Sequence, residues 1–275
     1  MNLMVLFLLV HCLFILCIPN AYSHNKLVVR MEDNEFPTSY KTATGWKGMD
    51  VEVLDELMQR TGLSYKITAL PFKRSMIEIQ KGRIDLISNL SKNSERSEFM
   101  NWLGPIRNTK IGFVVLEKNQ NVTIESIDQL LAVLDSRQQQ IGYLIGSSYG
   151  PLIDSIVRNN TIFREHIWFT PRRKQEVVML QKDRIFGFFI DEFEANSLIN
   201  ANKSGKKNNF SGFAVHKFSI DHSLDGAYFG ASKALDPLIL SQLNQAFNEM
   251  QNDGTLEIIF NKWSGSSPIS NQNKK

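Results

Sequence analysis

The sequence predicts an α/β protein of two lobes, each a mainly parallel sheet covered by helices. Short β-type apolar runs alternate with segments of helical periodicity, and this alternation occurs twice along the chain. The chain has 275 residues, 43% of them hydrophobic and 21% charged, which is ordinary globular composition and length enough for two cores.

The elements follow in order. Lys26 to Met31 reads as a first strand, and Asp33 to Gly48, with Pro37, Gly45 and Gly48, reads as a loop. Val51, Leu54, Leu57 and Met58 form one face of a helix over 49–61, ended by Gly62. Tyr65 to Leu70 is a second strand, Arg74 to Lys81 a short helix and Ile84 to Ile87 a third strand. The second series begins with a strand at Ile111 to Leu116 and a helix over 124–134, where Glu125 and Asp128 suit the positive end. A strand over 140–145, a tight turn at Gly146 to Gly150 and a helix over 151–159 come next. Strand 167–169, helix 174–182 and a buried strand 184–190 complete the series, which stops at Asp191-Glu192. Ser204 to Ser211 is polar and reads as an exposed loop. The chain returns to helix over 235–251 and 256–263, and its Ser, Pro, Asn, Gln and Lys tail, 264–275, reads as disordered.

The N-terminus is a different material. Leu3 to Ile18 has no Lys, Arg, Asp or Glu, and Ala21-Tyr22-Ser23 presents small residues before His24. Residues 1–23 therefore read as a secretory signal, although the segment before the apolar run lacks the usual basic residue. Cys12 and Cys17 both lie in this leader, so the cleaved chain has no disulfide, thiol nucleophile or cysteine metal site. A net charge of +3 is too small to argue for nucleic acid, and Arg172-Arg173-Lys174 and Lys206-Lys207 read as solvated loops. His24, His166, His216 and His222 share no ligand spacing, so no metal and no cofactor is expected.

Ligands of open parallel sheets bind beyond strand C-termini, and three such ends carry polar residues: Ser88 to Ser91, Gly146 to Ser148, and Asp191. Five residues after Ser91 stands Arg96, whose planar fork fits a carboxylate. A competing reading comes from Gly146-Ser147-Ser148-Tyr149-Gly150. It matches the G-x-S-x-G nucleophile elbow, with Asp191 and His216 or His222 following in Ser…Asp…His order. On that reading Ser148 is the nucleophile of a secreted hydrolase; on the other, the same pentapeptide is an anion-binding turn.

Six ordered segments resemble the bacterial extracellular solute-binding protein family 3, the periplasmic receptors of polar amino acid ABC transporters. Trp46 to Glu52 resembles G-[FYM]-D-[VI]-[DE]; Lys81 to Asp85 resembles the G-K-x-D turn; Ser88 to Arg96 matches the ligand loop without a gap, followed by the stretch Phe99 to Ile106. Ile141 to Ser148 is similar to V-G-V-x-x-G-[ST]-[ST], Arg184 to Glu192 to G-x-x-D-A-x-x-x-D, and Asp253 to Leu256 with Lys262-Trp263 to the C-terminal D-G-x-L…K-W. Phe186-Gly187 departs from the usual Asp-Ala, and Asn89 stands where Ser or Gly is common.

The resemblance implies the type II periplasmic-binding-protein fold, with lobe 1 built from 24–110 plus 217–263, lobe 2 from 111–216, and a two-segment hinge near Lys110 and His216. It implies a small-molecule ligand, an amino acid, with Arg96 gripping the α-carboxylate. Asn89, Ser91, Ser147 and Ser148 would help, Asp191 would take the α-ammonium, and Phe36 and Phe72 would sandwich the side chain. Arg74 points to an acidic ligand and Asp33 to a basic one, so the side-chain class stays open. A periplasmic monomer with no catalytic residues, docking on a membrane permease, is the expected molecule. A sensing receptor or a dehydratase-like enzyme on the same fold are its rivals.

Overall fold

The structure, a computed structural model, describes residues 26–203, 211–218 and 223–264. The expected leader, most of the expected loop at 204–211 and all but Ser264 of the expected tail lie outside these residues, as does His222.

The chain opens with β1 (Leu27–Arg30) and three short strands, β2 (Asn34–Glu35), β3 (Ser39–Thr42) and β4 (Gly45–Lys47). Then come α1 (Met49–Thr61), β5 (Tyr65–Thr68), α2 (Phe72–Gln80), β6 (Leu86–Ser91), the one-turn α3 (Ser94–Ser97) and the 17-residue β7 (Met100–Leu116). The middle of the chain forms α4 (Ile127–Arg137), β8 (Gln140–Leu144), α5 (Pro151–Asn159), α6 (Thr161–Glu165), β9 (Ile167–Thr170), α7 (Arg173–Gln181), β10 (Ile185–Asp191) and α8 (Glu192–Lys203). It returns through β11 (Phe213–His216), β12 (Ser223–Ser232), α9 (Pro237–Asn252) and α10 (Thr255–Ser264).

The strands run in the order β5-β1-β6-β12-β7-β10-β8-β9, with β11 also paired to β7, while β2-β3-β4 form a small sheet of their own. Pairing is parallel within β5-β1-β6 and within β10-β8-β9. The centre is antiparallel: β7 pairs with β12 between Met100 and Lys110, then with β10 and β11 between Ile111 and Leu116.

Each half has its own core. Leu54 and Leu57 of α1 and Leu243 and Phe247 of α9 pack with Leu86 and Phe229 of the sheet. In the other half Phe113, Phe186 and Phe189 pack beneath Leu130, Ile153 and Phe163, while Val114, Phe188 and Ile190 face Leu180 and Ala195. Ile185 to Ile190 are all buried, as a strand covered on both faces requires.

Several elements differ from their expected bounds. β6 runs to Ser91 because β12 pairs with Leu90 and Ser91, which keeps the small polar residues inside the sheet. Within it Asn89 takes the left-handed conformation, φ 57°, opposite a register shift in β12. α2 starts two residues earlier than expected, at Phe72. The segment 33–48 is not a bare loop but carries β2, β3 and β4. β11, β12 and α6 were not anticipated.

Candidate functional site

Strands β1, β6, β8 and β10 deliver their C-terminal ends to one cavity of about 630 Å³ of atom-free space, part of it open to solvent. Of the expected ligand residues, Arg96, Asn89, Ser91, Ser147, Ser148, Asp191 and Phe72 line it. Phe36 does not: its ring packs against Tyr40 and Trp263, with centroids 5.5 and 6.3 Å away, so it belongs to an aromatic cluster behind β3. The residue beside it, Glu35, reaches the cavity instead.

Arg96 is placed by α3. The Asn93 side-chain oxygen Oδ1 accepts from the Arg96 backbone N–H at 2.8 Å and caps the turn. The guanidinium is buried and donates to Ser91 O at 2.7 Å and to Gly146 O at 3.0 Å. Burial holds its pKa down to about 10, so it is charged at neutral pH. Among the described residues no carboxylate lies within ion-pair reach of it. The contact with Gly146 ties the two halves of the chain together. At φ +89°, Gly146 lets a turn approach so closely that a Cβ would stand 3.2 Å from the Phe72 ring. Phe72 also carries two cations, the guanidinium carbons of Arg30 and Arg96 lying 5.3 and 5.5 Å from its centroid.

On the opposite wall, Ser148 donates its hydroxyl to Asp154 at 2.5 Å, and the Tyr149 N–H donates to the same carboxylate at 2.8 Å. His216 Nε2 pairs with Val122 O at 2.7 Å and its Nδ1 accepts from the Phe218 N–H at 2.8 Å, so it does not serve Ser148. Asp191 serves neither of them. It accepts from Arg107 at 2.8 Å, from the Thr109 hydroxyl, and from the Phe193 N–H at 2.8 Å as the cap of α8. The elbow motif is therefore a turn without a charge-relay partner among the described residues.

The floor of the cavity holds charges that sequence reasoning did not single out. Arg30, almost fully buried at the end of β1, pairs with Glu32 and donates to Leu70 O. Arg173 pairs with Glu176 and donates to Phe189 O at 2.8 Å and to the Tyr149 hydroxyl at 3.1 Å. Asn89 is the hub. Its carbonyl accepts from Arg107 at 3.0 Å, and its amide donates to Glu194 at 2.6 Å and to Glu35 at 3.4 Å. Burial pushes the Glu35 carboxyl up to about 7, helped by the neighbouring Glu32 charge. Burial and then Glu35 hold Glu194 well above the usual carboxylate range. The described residues hold no group of three or more His, Cys, Asp or Glu arranged for a metal ion, and no helix among them is long and apolar enough to cross a membrane.

Residues 27–266 match the family described as bacterial extracellular solute-binding proteins, family 3. The probable amino-acid-binding protein YxeM of Bacillus subtilis (strain 168) is 27% identical over 132 residues, a stretch covering 48% of this chain and 47% of that protein. The L-cystine-binding protein TcyJ of Escherichia coli (strain K12) is 24% identical over 241 residues, 87% of this chain and 82% of that one. An ancestral arginine-binding protein bound to glutamine superposes with a TM-score of 0.70 at 18% identity, covering 88% of this chain and 98% of that one, and shares the fold.

Proposed function

Because the chain belongs to the bacterial extracellular solute-binding proteins, family 3, we propose that it is a periplasmic receptor for a free amino acid, which it passes to a membrane ABC permease. The observation that carries this is Arg96: a buried, charged guanidinium with no carboxylate partner among the described residues, facing a cavity lined from both halves of the chain. A ligand carboxylate offers the bidentate acceptor this fork lacks. The relatives YxeM and TcyJ carry names that specify amino-acid and cystine binding, which supports the class.

In this reading 24–110 plus 217–263 form one lobe and 111–216 the other, with hinges near Lys110 and His216. Ligand favours the closed form by touching both. Ser91, Ser147 and Ser148 supply polar contacts and Phe72 packs the ligand. The protein is not an enzyme in this account, since Ser148 is bound to Asp154 and His216 serves backbone groups elsewhere.

Thermal-shift measurements across the amino acids, with wild type and Arg96→Ala, test the proposal. At least one amino acid is expected to raise Tm, with affinity near micromolar, about −8 kcal/mol. Arg96→Ala is expected to lose about 1.5–3 kcal/mol of binding, the value of a hydrogen bond to a charged group. If no amino acid shifts Tm, or the variant binds like wild type, the assignment fails. Hydrolysis of a short-chain ester, abolished in Ser148→Ala, would instead favour the hydrolase.

A further inference from the structure

The charges of the cavity pair off unevenly. Arg30 is neutralised by Glu32, Arg173 by Glu176 and Arg107 by Asp191. After these pairs, one cation and two carboxyls remain without a counter-charge within ion-pair reach among the described residues: Arg96, Glu35 and Glu194. All three line the same cavity. Glu194 is only 2% exposed and Arg96 5%, so neither is solvated in compensation. Glu35 and Glu194 lie in sequence 159 positions apart but meet at one nitrogen, the Asn89 amide. Asn89 cannot turn that amide around, because its carbonyl is held by Arg107.

Asp191, the expected acceptor for the ligand ammonium, has its oxygens committed to Arg107, Thr109 and the Phe193 N–H. We propose that Glu35 and Glu194, not Asp191, receive the positive charge of the ligand, and that the ligand is an amino acid whose side chain carries a second cationic group. This rests on the amino-acid receptor reading above. Arg96 takes the carboxylate, and the two carboxyls take the α-ammonium and the side-chain cation. Asp191 is then a positioning residue: it holds Arg107, which holds Asn89, which sets the carboxyl pair.

The surroundings of the pair agree with this. Glu35 faces Glu32, Arg30, Arg173 and Asn89; Glu194 faces Glu35, Asp191, Arg107 and Arg173. Without ligand, the two close carboxyls share a proton, and the two cationic groups of the ligand arriving between them displace it to solvent.

Calorimetric titration of the purified protein with lysine, ornithine and arginine, against glutamine, serine and glutamate, tests this. The cationic amino acids are expected to bind at least tenfold more tightly than glutamine. Repeating the titration near pH 6.5 in two buffers of different ionisation enthalpy should show release of a proton with lysine. Glu194→Gln and Glu35→Gln should each erase most of the preference for lysine over glutamine, a ratio that general loss of folding does not change selectively. If Glu194→Gln fails to fold, the half-buried Glu35→Gln carries the same test. Tighter binding of glutamine than of any cationic amino acid, or a preference unchanged in both variants, overturns this inference and leaves the receptor reading standing. Binding of no amino acid overturns both.

Discussion

At the scale of single residues, Asn89 and Gly187 show opposite uses of a sheet. Asn89 occupies a left-handed backbone position in β6 and turns both ends of its amide to account, joining Arg107 to Glu35 and Glu194. Gly187 is chosen for its lack of a side chain: a Cβ there would lie 2.5 Å from Val114 O and 2.7 Å from the Phe113 ring. Gly187→Ala is expected to cost about 1–3 kcal/mol, measured by urea denaturation, because backbone on the neighbouring strand must shift. The stretch Ser88 to Arg96 could be read from sequence because its residues are consecutive and each has a recognisable polar chemistry. Glu35 and Glu194 could not, since what makes them notable is a meeting at Asn89 across long separations. The aromatic assigned to the cleft, Phe36, is off by one position; Glu35 faces the cavity, and nothing local distinguishes the two sides of a two-residue strand.

Among the elements, helix α9 illustrates what local signals supply. Asp236 caps it, accepting from the Leu238 N–H at 2.7 Å, and Pro237 fits the first turn, so its start was readable within two residues. Asp236→Ala is expected to lose about 1 kcal/mol, seen as a fall of roughly 2–4 °C in Tm for a chain of this size. β12 was not readable, because it is ordered by partners far away: β6 on one side and β7 on the other. Strand β10 was readable, since Ile185 to Ile190 is a continuous apolar run and burial on both faces needs no alternation. Asp191 at the start of α8 can be read from sequence either as a ligand residue or as the cap of a helix from Glu192 onward, and its bond from the Phe193 N–H is that of a cap.

The whole molecule carries a pH dependence written into its buried carboxyls. Burial raises Glu35, Asp50 and Glu176 to about 7 each, and Glu194 rises with them. His166 is also raised, first by its bond to the Ile162 carbonyl. A carboxyl whose pKa is higher folded than unfolded binds protons more tightly when folded, so stability falls as pH rises from the unfolded value near 4.5 through about 7. The unliganded protein is therefore expected to melt at a higher temperature at pH 5.5 than at pH 8, and Glu35→Gln should flatten that slope. A Tm that rises over this range would contradict the assignment. The continuous strand β7 has a further consequence. Its 17 residues, roughly 55 Å when extended, form hydrogen bonds in both halves of the sheet. A gene split after Lys110 would part β6 and Met100–Lys110 from β12, the strand that lies between them, and leave bare strand edges on both fragments. Two such fragments should be insoluble apart and should reassemble when expressed together. The protein is thus a natural candidate for a split reporter whose two pieces are joined by a strand rather than by a linker.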